Sequence, residues 1–249
     1  MPVRADKSHR SEMVTSVLFG EIFKVHESLE AWHRVTLEAD GYEGWIENAS
    51  LAILEASACQ VLRQQKPFYA VDSIVRIENK SRRFPIYFGS TIYRSAKGCC
   101  TAGDEEFAFE GKVHLPETLD VSLILEMATR FLETPYLWGG RTTFGTDCSG
   151  MVQTLFRIAG YSLPRDASLQ AKQGNAVDWH DRQPGDLAFF SSANGRITHV
   201  GILAANDGLI HATSVGGSKV RNDKLSEHGI INAETGIITH PLAFIRRMI

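Results

Sequence analysis

Short runs of alternating apolar and polar residues fill roughly the first half of the chain, and a helical period takes over after position 119. Between positions 12 and 53 the segments MVTSVLF, EIFKVHE, AWHRVTLEA and GYEGWIENA read as short strands. In the third of these, Trp32, Arg34 and Thr36 fall on one side and His33 and Val35 on the other. Asp40-Gly41 marks a turn. The texture repeats between 68 and 114 in FYAVDSIVRIENK, FPIYFGSTIYR and EEFAFEGKV, punctuated by Gly89, Gly98 and Gly103. Short strands at this spacing predict two small barrels, over 1–54 and 55–117, with Trp45 in the core of the first.

The third block, 118–249, starts differently. DVSLILEMATRFLETP predicts an amphipathic helix whose Ile124, Met127, Ala128 and Phe131 recur at i, i+3, i+4, i+7. Asp120 or Ser122 caps its start and Pro135 lies past its end. A Gly-rich stretch, YLWGGRTTFGTDCSG, leads to a second helix, MVQTLFRIAG. That helix carries Met151, Val152, Leu155, Phe156 and Ala159 on one side and Gly160 as its C-cap. Beyond Pro184-Gly185, the segments DLAFF, THVGILA and GLIHAT read as strands. Helices followed by antiparallel strands make the class α+β.

Composition narrows the function. The 249 residues are 43% hydrophobic and 22% charged, as in ordinary globular domains. A net charge of −3 supplies no basic field for nucleic acid or an anionic membrane. No run of ~20 apolar residues spans a bilayer. No apolar stretch at the start reads as a leader, so the expected compartment is the cytoplasm. The cysteines at 59, 99, 100 and 148 form no C-x-x-C pair and read as free thiols.

One thiol stands apart. Cys148 lies between a Gly-rich turn and a helix, where free backbone amides favour thiolate and bind a developing oxyanion. A thiol nucleophile needs a base, and His199 in a strand supplies an imidazole of suitable range. His211, on the following strand after Asn206-Asp207-Gly208, is placed to accept from His199 and fix its tautomer. A zinc site built from Cys148, His199 and His211 is the competing reading. It lacks the close-spaced ligand pair that such sites carry, so no metal or other cofactor is expected.

These residues resemble the NlpC-type papain-like cysteine peptidases. The resemblance rests on Tyr136-x-Trp138-Gly139-Gly140 and Gly145-x-Asp147-Cys148-Ser149-Gly150. It continues through Leu163-Pro164-Arg165-Asp166, Pro184-Gly185-Asp186, His199-Val200-Gly201 and Ile210-His211-Ala212, in the family's order. It implies a papain-like fold with Cys148 as nucleophile, His199 as base, His211 as orienter and Tyr136 beside the oxyanion. It implies hydrolysis of cell-wall peptides after γ-linked D-glutamate. The front half resembles bacterial SH3-like domains, through LFGE at 18–21 and GYEGW at 41–45. One subgroup joins such barrels to this peptidase and cleaves released L-Ala-γ-D-Glu-diamino acid peptides, its first barrel selecting a free amine. By that resemblance Tyr42, Glu21 and Asp147 hold the ammonium. Ser149 and Ser168 bind the substrate carboxylate or backbone, Arg165 pairs with a substrate carboxylate, and Trp138 lines the site. The alternative for Arg165 is a structural pair with Asp166 or Asp186. A monomer is expected. A related Cys-His amidase or acyltransferase, and a wall-binding protein without catalysis, are the alternative functions.

Overall fold

The computed structural model describes residues 1–48, 51–94, 99–102, 105–116 and 119–248. Gly98 and Gly103, expected as turn residues, lie outside them. The chain divides into two compact units, Met1–Pro116 and Glu117–Ile249.

The first unit holds two antiparallel sheets. Strands β1 (Pro2–Arg4), β2 (Met13–Ser16), β3 (Phe23–Leu29), β4 (Trp32–Leu37) and β5 (Glu43–Glu47) pair in the order β2-β1-β5-β4-β3. Alternation decides which side chains enter the core: His33, Val35 and Leu37 of β4 are buried and Arg34 is exposed. Val3, Val17, Val35, Leu37 and Ile46 form the apolar cluster. Trp45, expected there, neighbours Ile46 and so points the other way, half-buried, with the Lys7 amine 5.5 Å from its ring centre. The strand β1 was not legible in the charged opening of the chain.

Helix α1 (Ala56–Gln64) follows, unanticipated, with no buried residue of its own. An Arg63–Glu38 ion pair ties it to the first sheet. The second sheet contains β6 (Phe68–Ala70), β7 (Ile74–Glu78), β8 (Arg83–Tyr87), β9 (Thr91–Arg94), β10 (Cys100–Ala102), β11 (Glu105–Glu110) and β12 (Val113–His114). Their order is β12-β6-β9-β10-β11-β7-β8, around a cluster that includes Val75, Ile77, Ile86, Ile92 and Phe107.

The second unit is helical first and then stranded. Helix α2 (Val121–Thr129) starts at Asp120, whose carboxylate accepts from the Ser122 and Leu123 amides; Ile124, Met127 and Ala128 are buried. A two-stranded ribbon, β13 (Arg141–Thr142) and β14 (Gly145–Thr146), leads into α3 (Cys148–Ile158). All eleven residues of α3 are buried, where its apolar spacing predicted a one-sided helix. It begins at Cys148 itself, three residues before the predicted start. After the short α4 (Ala167–Gln170) come β15 (Asn175–Val177), β16 (Leu187–Ser191), β17 (Ile197–Leu203), β18 (Gly208–Thr213), β19 (Lys219–Ser226), β20 (Gly229–Ile231) and β21 (Leu242–Arg247). They form one antiparallel sheet in the order β15-β21-β16-β17-β18-β19-β20. Consecutive residues of a strand face opposite sides, and Phe189 and Phe190 are both fully buried, so both faces of this sheet are covered. Helix α3 packs against β17 and β18, which brings its first turn to the two strands that carry His199 and His211. The unit is α+β, a helix laid on an antiparallel sheet in the papain manner.

Candidate active site

The start of α3 is built by one carboxylate. Asp147 is its N-cap, with extended backbone, and its Oδ1 accepts from the Gly150 amide at 2.7 Å. Its Oδ2 accepts from the Gly139 amide at 2.8 Å. Gly139 has φ +78°, a conformation that glycine adopts without strain and that aims its N–H at this carboxylate. A Cβ on Gly150 would stand 2.2 Å from the Gly140 carbonyl oxygen, so only glycine lets the first turn pass this close to the Gly-rich loop.

Arg165 grips Asp147 from the other side. Its guanidinium donates to Oδ1 at 3.0 Å and to Oδ2 at 2.5 Å, a bidentate pair with both partners buried. The same guanidinium donates to the Ser149 hydroxyl at 2.9 Å. This arrangement bears on three of the candidate site residues. Both oxygens of Asp147 accept from donors of its own unit, through capping and ion pairing. Ser149 is buried and bonded to Arg165. Arg165 is paired with Asp147, and Asp186 is held by Arg247. Ser168 lies exposed on α4. Gln170, two residues on, donates to the Ser149 and Pro164 carbonyls at 3.0 and 2.8 Å, fastening that loop to the nucleophile helix.

The sulfur of Cys148 receives the backbone amides of Ser149 and Val200, which places it at the helix start and against β17 next to His199. Burial pushes the thiol up to about 12, Asp147 adds to this, and the two amides and Arg165 oppose it. His199 is 5% exposed, and burial, with His211 and His240 beside it, holds the imidazole well below its ordinary range. Both shifts favour the uncharged forms.

His199 Nε2 lies 2.8 Å from His211 Nδ1, and His211 Nε2 lies 3.1 Å from Asp223 Oδ2. The hydrogen bond between the two imidazoles turns those nitrogens toward each other, an orientation that does not match the zinc reading. Gly201 makes room for the pair: a Cβ there would meet the His211 Cβ at 3.0 Å. Asp223 in turn accepts from the Ala233 amide at 2.9 Å and from Arg221, and Arg221 also binds Glu234. His240 stacks on His199, with ring centres 4.4 Å apart and planes 26° from parallel. Asp223, Arg221 and His240 were missed in the sequence because they lie beyond the last motif. Only the alternation of Arg221 and Asp223 in KVRNDKLS, an unusual buried pair of charges, hinted at them.

Tyr136 is half-buried, its amide donating to the Ser218 carbonyl at 2.9 Å. Burial and the neighbouring Cys148 and Asp147 raise its hydroxyl, so it remains a proton donor near the sulfur. Trp138 follows on the same loop, 57% exposed. Tyr42 and Glu21 belong to the first unit. Tyr42 packs against that unit's apolar cluster, and the Glu21 carboxylate accepts from the Leu18 amide at 2.8 Å.

Comparison with known proteins agrees with this geometry. Residues 133–238 match the NlpC/P60 family and residues 3–51 match the bacterial dipeptidyl-peptidase SH3 domain. A gamma-D-glutamyl-L-lysine dipeptidyl-peptidase of Bacillus subtilis is 29% identical, over 82% of this chain and 73% of its own. A Haemophilus influenzae protein named "Probable endopeptidase" is 35% identical over 48% of this chain and 76% of its own. The crystal structure of a NlpC/P60 family protein from Bacillus cereus superposes with TM-score 0.81 at 21% identity, covering 95% of this chain and 82% of that one, and so shares the fold.

Proposed function

The chain belongs to the NlpC/P60 family of cysteine peptidases, and from that premise we propose that it hydrolyses the bond between γ-linked D-glutamate and a diamino acid in cell-wall peptides. The observation that carries this is the convergence of Cys148, His199 and His211 at one helix start, in a chain similar to dipeptidyl-peptidases named for that bond.

The chemistry follows from the resting state. His199 uses Nε2 toward His211 and leaves Nδ1 to serve the thiol. Enclosure favours the uncharged thiol and imidazole, which supports proton transfer from Cys148 to His199 during attack rather than before it. The sulfur adds to the γ-glutamyl carbonyl carbon. The oxyanion forms at the helix start, against the Cys148 amide and the Tyr136 hydroxyl, which burial keeps protonated. His199 then gives its proton to the amine of the diamino acid, and the C–N bond breaks. Water, deprotonated by His199, releases the glutamyl carboxylate from the thioester.

The dipeptidyl-peptidase character of the curated relatives supports a substrate with a free N-terminal amine, such as L-Ala-γ-D-Glu-diaminopimelate or its lysine counterpart. Four free cysteines support work on released peptides in the cytoplasm, which cell fractionation tests. Light scattering tests the monomeric state. For the substrate, the experiment is a mass-spectrometric digest of four peptides: each diamino acid, with the amine free or acetylated. Cleavage of the free peptides alone, between glutamate and the diamino acid, is expected. Equal cleavage of capped and free peptides discards the free-amine proposal. An acylated acceptor in place of two hydrolysis products makes the chain a transferase.

A further inference from the structure

The hydrogen-bonded pair His199–His211 has two directions, and only one is active. In the first, His199 Nε2–H donates to His211 Nδ1, and His199 Nδ1 carries a lone pair for the thiol proton. In the second, His211 Nδ1–H donates to His199 Nε2. His199 then carries its hydrogen on Nδ1, and no base faces the thiol. The 2.8 Å separation fits either direction. The choice is made at the far side of His211, where Nε2 is 3.1 Å from Asp223 Oδ2.

Asp223 is held as a carboxylate. It is 3% exposed, it accepts from the Ala233 amide at 2.9 Å, and the Arg221 guanidinium reaches both its oxygens at 3.1 to 3.3 Å. A carboxylate only accepts, so the hydrogen of neutral His211 must sit on Nε2. His211 Nδ1 is then an acceptor, and the relay is forced into the active direction.

We infer that Asp223 is a positioning residue that selects the tautomers of His211 and, through it, of His199, so that His199 presents a lone pair to the Cys148 thiol. This rests on His199 being the general base. The charged and titratable neighbours act in keeping with it. Arg221 is shared with Glu234 at 3.0 Å, which leaves the Asp223–Arg221–Glu234 group with one net negative charge. His240 stacks on His199 and its own imidazole is pushed down to about 4, so it brings no positive charge at neutral pH. Once His199 takes the thiol proton, the carboxylate two bonds away along the relay stabilises the cation.

The test reads tautomers directly, by long-range ¹⁵N–¹H correlation of histidine-labelled Cys148→Ala protein at neutral pH. Hydrogen on Nε2 of both His211 and His199 is expected. Hydrogen on Nδ1 of His211 overturns the inference, and this readout needs neither turnover nor the correct substrate. In Asp223→Asn, an amide oxygen at the Oδ1 position keeps the Ala233 donor and the two 3.3 Å Arg221 contacts, while the NH₂ at the Oδ2 position gives up the 3.1 Å Arg221 bond, faces His211 Nε2 and drives its hydrogen to Nδ1. That reversal should lower kcat by on the order of 10²-fold or more with little change in KM; a reversed tautomer in a serine triad costs ~10⁴. Unchanged tautomers with kcat within twofold of the parent overturn the role of Asp223. Should Asp223→Asn fail to fold, the parent spectrum alone decides.

Discussion

Replacing Asp147 by alanine separates a structural carboxylate from a substrate ligand. The side chain caps α3 through Gly150, and losing such a cap costs about 1 kcal/mol. It also neutralises Arg165, which is 2% exposed, and breaking a buried pair from one side costs about 3–5 kcal/mol because the remaining charge is stranded. The sum, roughly 4–6 kcal/mol, is a large part of the 5–15 kcal/mol that holds a typical domain together. At about 2–4 °C per kcal/mol, the melting transition should fall by roughly 10 °C or more. Circular dichroism melts of Asp147→Ala in the inactive Cys148→Ala background measure this without interference from turnover. Adding Arg165→Leu removes the stranded charge, so the combined variant should melt above Asp147→Ala alone. A melt within ~2 °C of the parent, together with loss of discrimination between free and capped peptides in the Cys148 enzyme, would refute the structural role and restore Asp147 as an amine ligand.

Other consequences follow from the same geometry. The buried Cys148 thiol, raised to about 12, should be alkylated by iodoacetamide ever faster as pH rises through 9; a rate plateau near pH 5 would instead reveal a preformed thiolate–imidazolium pair. By linkage, the raised thiol stabilises the fold below the unfolded value near 9 and loses that contribution as pH rises toward 12. The lowered His199 stabilises it above about 6.5 and loses that contribution as pH falls. Denaturant titrations should therefore find stability declining on both sides of neutrality, and a rise in stability below pH 6 would contradict the His199 assignment. Tyr136→Phe should reduce kcat by on the order of 10²-fold with KM little changed, as for loss of one oxyanion donor, and an unaltered kcat removes the hydroxyl from that role. His211→Ala should slow turnover less than His199→Ala, because orientation is lost while the base remains; equal rates for His211→Ala and the parent would take His211 out of the site.

What the sequence disclosed and what it withheld divide along physical lines. Cys148 and His199 stood out because each sits in a short string whose glycines answer to local backbone demands, and His211 because it follows on the next strand. Gly150 passes the Gly140 carbonyl and Gly201 makes room for His211. The pairing of Asp147 was hidden because its partner, Arg165, lies 18 residues away and is joined only by the fold. Asp223, apart from its alternation with Arg221, and His240 escaped for the same reason: β19 and the turn before β21 reach the site through sheet pairing. The all-round burial of α3 was hidden by polar residues. Gln153, Thr154 and Arg157 look like a solvent face in sequence, yet Gln153 reaches the Leu163 carbonyl and Thr154 the Arg141 carbonyl inside the unit. Helix α1 was missed because it is short and buries no residue fully, its packing stripe being only the half-buried Ala58, Cys59 and Leu62.

The central claim is that Cys148 forms a covalent thioester with the γ-glutamyl group. The direct test is an acid quench of the enzyme during turnover of L-Ala-γ-D-Glu-diaminopimelate, followed by peptide mapping by mass spectrometry. The account predicts the L-Ala-γ-D-Glu acyl group on the peptide containing Cys148, and no cleavage by Cys148→Ala. An acyl group on another residue, or cleavage that survives in Cys148→Ala, would contradict it.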